Sequence, residues 1–414
     1  MIGYVLILLV LFYFLNRVFN IRNLFNPFVF VIIYHFIFFY LALFYKDIYK
    51  HVEISRFTIF IINYSFLSIF LGGIVSRYCF QKIGTSYTRF PEVEINFSFR
   101  NKNVIVGLLF ILVGVFLTFK FIFSSGGFVI FADDVENSRI AARKGKGLIS
   151  QLALNLFTYG LLVVLMVKRR KPFKYILVFV VAFFVFSFGN RGPVLFLLVF
   201  ALYVIQIVNK FQFSLKKMAL IGFSLFSLMV LFGAIRTNHP AELIELFKFR
   251  FAWRPFVNIQ NFQYVIDYFP SKHDFLLGKT YLVDFSMILP GSNPNSGTYL
   301  KELMGFSFDG GSITPSYLGI SYVNFGIIGL IFSPFLLGFV SNTVYEYYIR
   351  NINLRKPEAI ILLLLISFNF AAIVVSGFMT VLVQNMIVIL VVHFTYMVLT
   401  RLIVVISNFT KKIE

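Results

Sequence analysis

Residues 104–123 read VIVGLLFILVGVFLTFKFIF, an apolar run in which Lys120 is the only charge. As a helix rising about 1.5 Å per residue, such a run is about 30 Å long, the thickness of a bilayer's hydrocarbon core. It is apolar on every side, and a helix of that kind belongs inside a large core or in lipid. Composition decides between the two. The chain has 414 residues, 59% hydrophobic and 13% charged, with a mean hydropathy of +0.87. An ordinary soluble domain is about 45–50% apolar and about 25% charged. A water-soluble core cannot hide this excess, whereas lipid accepts it because a helix satisfies its own backbone hydrogen bonds. The sequence therefore predicts an all-α polytopic integral membrane protein.

Outward from this stretch, similar blocks predict about eleven transmembrane helices. They fall near 2–15, 28–45, 57–76, 104–123, 150–167, 175–188, 193–208, 218–235, 318–341, 358–377 and 380–400. The first, sixth and seventh are short, and the last two of these flank a tight turn at Gly189-Asn190-Arg191-Gly192. Met1 to Leu15 lacks a basic start and a small-residue cleavage site, so it reads as a retained span. The whole chain, 1–414, reads as one membrane domain. Its single cysteine, Cys79, excludes an internal disulfide framework and a Cys-cluster zinc site.

The net charge of +20 raises nucleic acid as a partner. Cytoplasmic loops rich in Lys and Arg explain much of it without one, so no nucleic-acid partner is expected. Lys168-Arg169-Arg170-Lys171 marks the cytoplasmic side, with Lys216-Lys217, Arg355-Lys356 and Lys411-Lys412 in agreement. The cytoplasmic loops are then about 77–103 and 168–174, with the amino terminus outside and the carboxyl terminus inside. External loops fall at about 124–148 and 236–316, the second containing short helices. Connections longer than about 12–15 residues are usually functional or disordered, and the aromatic content of this one argues against disorder.

Many cations nevertheless fall on the external side. Arg139 and Arg143 share one face of a short helix capped by Asn137 or Ser138. Arg250 and Arg254 repeat that spacing on a helix expected from near Pro240 to Pro255. Arg236 ends a span, Lys279 lies in the long loop, and Arg191 stands in the tight turn before Gly192-Pro193. Arg191 thus sits beside a helix N-terminus, where free N–H groups and the dipole favour anions. A single arginine at a span end usually snorkels to headgroups. A group of them on the side the positive-inside rule disfavours reads as an anion site, since the guanidinium fork fits phosphate oxygens. Acids and bases are sparse there. Asp133 and Asp134 suit helix capping and Arg pairing better than metal, so no metal site is expected. His239 is either a helix cap or a general base beside a bound anion. Trp253, Tyr264, Tyr268 and Tyr281 suit either an interfacial belt or stacking on sugar rings, with Trp253 and Tyr281 the first stacking candidates.

Four stretches carry a resemblance: Phe188-Gly189-Asn190-Arg191-Gly192-Pro193; Leu277-Gly278-Lys279-Thr280-Tyr281 running to Leu289-Pro290-Gly291; Thr314-Pro315-Ser316-Tyr317-Leu318-Gly319; and Tyr322-Val323-Asn324-Phe325-Gly326-Ile327-Ile328-Gly329. In order and placement the chain resembles the Wzy-type oligosaccharide repeat-unit polymerases, the O-antigen and capsule polymerases. Two features depart from them: an Arg-x10-Gly pattern is absent from both external loops, and Ile320 stands where an acid is expected. The resemblance implies a metal-independent glycosyltransferase without cofactors in a bacterial cytoplasmic membrane. Its substrate would be an undecaprenyl-pyrophosphate-linked oligosaccharide, its surroundings membrane lipid, and its protein partners a chain-length regulator and a flippase. Arg139, Arg143, Arg191, Arg236, Arg250, Arg254 and Lys279 would bind pyrophosphate, with His239, then Asp133 or Asp134, as base. A lipid-linked oligosaccharide flippase and a membrane sugar-modifying acyltransferase are the competing readings. A flippase predicts charges deep in several spans, whereas most charges here lie at span ends.

Overall fold

A computed structural model describes residues 26–44, 53–81, 102–129, 138, 147–166, 171–188, 191–208, 220, 224, 227, 243–289, 294–308, 312–351 and 357–413. Among these residues every regular element is helical. Helix α1 (Pro27–His35) continues through a π turn, Phe36–Tyr40, to Leu41–Phe44. Asn26 caps it, its Oδ1 accepting from the Phe28 N–H at 2.9 Å, and Pro27 occupies the first turn. There follow α2 (Arg56–Gln81), α3 (Lys102–Ser124), α4 (Gly147–Leu165), α5 (Lys171–Phe186) and α6 (Arg191–Val208). Then come α7 (Leu243–Tyr268), α8 (Lys279–Ser286), α9 (Ser296–Leu303), α10 (Ser316–Asn351) and α11 (Pro357–Ser376). The last, α12, starts as Phe378–Val381, passes a π turn at Leu382–Met386 and runs as Ile387–Ile413.

Among the described residues, five helices are long and apolar enough to cross a membrane: Arg56–Phe80, Lys102–Ser124, Ser316–Tyr348, Glu358–Ser376 and Phe378–Phe409. Four expected spans match shorter apolar helices, Pro27–Tyr40, Ile149–Leu165, Pro172–Phe186 and Gly192–Ile205. The expected span near 2–15, and all but residues 220, 224 and 227 of that near 218–235, lie outside the described residues.

Two corrections matter for the site. Helix α7 does not stop at Pro255 but runs through it to Tyr268, 26 residues in all. The missing N–H and the ring of an interior proline usually break a helix. Here the following turns bury Phe256, Ile259, Phe262 and Val265, which holds the helix across the proline. Residues 318–341 are not one straight span either. At Gly326 the backbone takes φ 59° and ψ −139°, outside helical values, and α10 folds into two arms. The arms close on each other so tightly that a Cβ on Gly329 would meet the Ser321 carbonyl oxygen at 2.2 Å.

The helices pack around two hydrophobic clusters. One joins α3, α4, α5, α6, α12 and the end of α10 at Tyr345 and Tyr348; the other joins α1, α2, α7, α9, the rest of α10 and the start of α12 at Val381. Helix α11 belongs to both, through Ile360–Leu365 in the first and Phe370, Ile373 and Val374 in the second. Of the five long apolar helices it is the most enclosed, 72% of its apolar stretch being buried against 22–50% for the others. Elsewhere the long helices turn bare apolar stripes outward, such as Phe60, Leu67, Leu71 and Val75 on α2 and Leu112, Phe116 and Phe123 on α3. Such surfaces fit acyl chains. Between helices, contact cannot rely on the hydrophobic effect in lipid, so close backbone approach at small residues takes over. Gly72 and Gly338 make that approach between α2 and α10. A Cβ on Gly338 would lie 2.0 Å from the Ile69 oxygen, and one on Gly72 2.2 Å from the Phe335 oxygen. Next to them Asn342 donates to the Gly73 carbonyl and Ser76 bonds Thr343 at 2.9 Å.

Gly338→Val and Gly72→Val should therefore each destabilise the detergent-solubilised protein by at least the cost of overpacking, about 1–3 kcal/mol. Gly192→Ala, whose Cβ would meet only a Phe196 ring carbon at 3.8 Å, should melt like the parent. Thermal unfolding checks this, and a Gly338→Val protein as stable as the parent would refute the close approach.

Candidate functional site at the elbow of α10

The break at Gly326 leaves the last carbonyls of the first arm of α10 without helical partners. The segment after α7 supplies them. The Leu276 N–H donates to the Val323 oxygen at 2.9 Å, and the Leu277 N–H to the Asn324 oxygen at 3.0 Å. This docking turns the chain through two successive left-handed residues, Leu277 (φ 46°) and Gly278 (φ 94°). The first is strained for a side chain with a Cβ, by about 1–3 kcal/mol.

Because Gly278 has no side chain, α8 lacks a local N-cap. Asn324 provides one from the elbow. Its Oδ1 accepts from the N–H groups of Gly278 (3.0 Å) and Thr280 (3.4 Å). Its Nδ2 donates to Thr280 Oγ1 (2.5 Å) and to the Ile320 carbonyl (2.8 Å). Asn324 is fully buried, and this set uses both ends of its amide. The Ile320 side chain, at the position where the resemblance predicts an acid, is also buried and lies against Gly377, so it packs rather than reacts.

One turn after Thr280 on the same face is Asp284, 1% exposed. Its Oδ1 accepts from the Ser296 N–H at 2.7 Å and its Oδ2 from the Thr380 hydroxyl at 2.7 Å. Ser296 Oγ and Thr380 Oγ1 are 3.3 Å apart. One carboxyl group thus ties α8 to the start of α9 and to the start of α12. Burial pushes its pKa up, and the Ser296 and Thr380 donors pull it partly back. Asn295 caps α9 through the Thr298 N–H at 2.8 Å.

Helix α7 borders this platform. The Thr314 hydroxyl donates to Asn258 Oδ1 at 3.3 Å, and the Tyr268 hydroxyl to the Leu303 carbonyl at 2.9 Å. On the opposite flank of α7, Gln263 Oε1 accepts from the Ser55 N–H and the Thr58 hydroxyl, while its Nε2 donates to Asp267. At about 100° per residue, Arg250, Arg254, Asn258 and Asn261 fall within roughly 80° of arc on α7. The stripe runs from the arginine pair to Asn258, whose buried Nδ2 has no hydrogen-bond partner. The buried hydroxyl of Ser316, two residues after Thr314, also lacks one. Ser316 opens α10 with φ 68°, a second strained residue at this junction.

The predicted site residues divide into three groups. Asp133, Asp134, Arg139, Arg143, Arg236 and His239 lie outside the described residues. The structure describes Arg191, the first residue of α6, and Arg250, Trp253 and Arg254 on α7 through their backbone. Lys279 and Tyr281 belong to the elbow platform itself. Lys279 is exposed, its ammonium 5.3 Å from the centre of the Tyr299 ring. Tyr281 is half-buried with its ring 6.1 Å from Phe325, and burial raises its pKa. Asp284, Ser296 and Thr380 escaped the sequence reading. The available signal was Asp284 itself, an isolated acid spaced four residues from Thr280 in an apolar stretch.

A family model described as "Putative O-antigen polymerase" matches residues 23–353, most of the chain and all of the elbow. The chain belongs to this family. No curated protein and no solved structure matches it.

Removing the carboxylate while keeping its shape should cost about 1–3 kcal/mol, because a buried donor then loses its acceptor. Asp284→Asn and Thr380→Val should each destabilise the protein, and the double variant should lose less than the sum, since the two side chains form one contact. The pH dependence has a definite sign. Burial raises the folded-state pKa, so this group's contribution to stability is fully present below the unfolded carboxylate pKa and is lost as pH rises through the raised value. The stability gap between parent and Asp284→Asn should widen as pH falls through the carboxylate range. Melting curves from neutral pH downward test it, and a gap that narrows would contradict the burial effect.

Proposed function

We propose that this member of the O-antigen polymerase family polymerises undecaprenyl-pyrophosphate-linked oligosaccharide repeat units at the outer face of the bacterial cytoplasmic membrane. The family match over residues 23–353 carries the reading. The apolar spans and the arginines on the first half of α7 support it.

In this reaction the end-sugar hydroxyl of a lipid-linked repeat unit attacks the anomeric carbon of the glycan held on a second carrier. A new C–O glycosidic bond forms, and the bond from the anomeric carbon to the pyrophosphate oxygen breaks. The bonding pair leaves with the carrier pyrophosphate, and the hydroxyl proton goes to a base. Negative charge grows on the leaving group, so the chemistry calls for preorganised cations at the pyrophosphate. Arg139, Arg143, Arg191, Arg236, Arg250, Arg254 and Lys279 are assigned that role. His239 is the first candidate base, followed by Asp133 and Asp134. Asp284 is not assigned chemistry: both its oxygens already hold donors, and it is enclosed. It positions the platform that carries Lys279 and Tyr281. Trp253 and Tyr281 are assigned to sugar stacking.

Cation-rich pyrophosphate stabilisation needs no divalent metal, and the reaction is assigned as metal-independent. EDTA should leave polymerisation by purified protein unchanged, and inhibition relieved by added magnesium or manganese would reject that assignment. In a deletion strain the glycan should shorten to single repeat units or stall on the lipid carrier. Repeat units held on the cytoplasmic side would instead favour a flippase. In complemented strains, Arg191→Ala, Arg250→Ala and Arg254→Ala should each lower polymer yield about tenfold or more while membrane protein levels hold, the loss of charge stabilisation being worth a few kcal/mol. Arg→Lys should restore only part, because Lys lacks the planar fork. Polymer of normal length from all three Ala variants would remove the anion-site assignment.

A further inference from the structure

Helix α8 has two unlike faces. Thr280 and Asp284 are sealed against the elbow and the start of α12. On the opposite side Leu282 is 72% and Phe285 53% exposed, preceded by Leu277 at 82% and followed by Leu289 at 59%. This surface continues onto the elbow. The Tyr281 ring lies 6.1 Å from Phe325, itself exposed, and exposed Ile327 and Ile328 follow. Beyond the elbow, Ile331, Phe332 and Leu336 carry the same bare apolar surface along the second arm of α10. Soluble surfaces rarely leave so large a contiguous apolar area uncovered.

We infer that α8 lies in the membrane interface, with Leu277, Leu282, Phe285 and Leu289 among the acyl chains of the bilayer. Continuity selects this occupant. The patch is the end of the lipid-facing surface of a membrane-crossing helix, the exposed Phe325, Ile327 and Ile328 joining the two parts. Among the described residues its cation is Lys279 at the start of α8, where a lysine stem can run along apolar surface and keep its ammonium at headgroup depth. The polar face of α8 is satisfied within the protein, which leaves its apolar face for lipid, the face by which interfacial helices are held. The long loop read from the sequence as external is therefore partly embedded, and Asn324 and Asp284 anchor the embedded part to the spans. The inference needs only the membrane-spanning helices and stands apart from the polymerase reading.

The test uses full-length protein in phosphatidylcholine–phosphatidylglycerol proteoliposomes. Exposed Cys79 is replaced by Ser, and a nitroxide is attached at Leu282→Cys or Phe285→Cys. A third label goes to Ser271→Cys, on an exposed turn. At 282 and 285, collision with dissolved oxygen should exceed collision with a water-soluble nickel chelate several-fold, and the order should reverse at 271. Chelate access at 282 and 285 equal to that at 271 would overturn the inference. Dipolar broadening between labelled copies at 282 would overturn it as well, because a second copy of the chain would then be the occupant. Polymer length from the same variants in the deletion strain is scored separately. Failure of the unmutated chain to restore polymer there bears on the proposed reaction and not on the position of α8.

Discussion

A helix broken within a membrane protein frees carbonyl groups that lipid cannot satisfy. At Gly326 that constraint governs the structure around it. The Val323 and Asn324 carbonyls take the N–H groups of Leu276 and Leu277, which fixes the path of the segment leaving α7. That path forces the left-handed pair Leu277-Gly278, which leaves α8 without its own cap. Asn324, already at the break, supplies the cap and returns its amide to Thr280 and the Ile320 carbonyl. One turn further on, Asp284 binds α9 and the start of α12. Each polar group in this sequence of contacts answers a need created by the preceding one.

The rest of the molecule holds the elbow still. Helices α10, α11 and α12 each contribute to both hydrophobic clusters, so the half containing α3 to α6 is coupled to the half containing α1, α2 and α7. Close approach at Gly72 and Gly338 fixes the second arm of α10 against α2. Gly377, with φ 87°, separates α11 from α12 and allows Thr380 to reach Asp284. Small residues therefore act at two levels. They let spans touch where lipid offers no hydrophobic drive, and they break helices where the chain must turn toward the platform.

Much of the fold was legible in the sequence because lipid imposes a simple rule, an apolar block of sufficient length. The blocks near 57–76, 104–123, 358–377 and 380–400 became helices of that kind. The same rule misread 318–341 as one straight span, because hydropathy is blind to the backbone angle at a glycine flanked by Phe325 and Ile327. The proline rule misplaced the end of α7 for a related reason: burial of Phe256, Ile259, Phe262 and Val265 outweighed a local signal at Pro255. At the site, charge was conspicuous and partnership was not. Lys279 and Tyr281 stood out by residue type. Asp284 did not, because its meaning depends on Ser296 and Thr380, and Thr380 lies 96 residues away in sequence.

The buried polar side chains around the elbow are largely satisfied. Asn324 uses both ends of its amide, Asp284 both its oxygens, and Gln263 both its Oε1 and its Nε2. Such networks rigidify, and removing one member exposes the full desolvation cost of another. Unpaired buried atoms occur in several places, Ser333 Oγ, Asn342 Oδ1 and the Tyr396 hydroxyl among them, and two more meet where α7 borders the start of α10. Asn258 offers a buried Nδ2 and Ser316 a buried hydroxyl without partners, beside a strained backbone and next to two arginine positions. Strain and unmet polar groups persist only where the surrounding structure holds them in place. At the junction of α7 with the start of α10 that support comes from the buried Phe256, Ile259 and Phe262 on one side and Tyr317 and Leu318 on the other, which hold Asn258 and Ser316 in place although neither atom is paired.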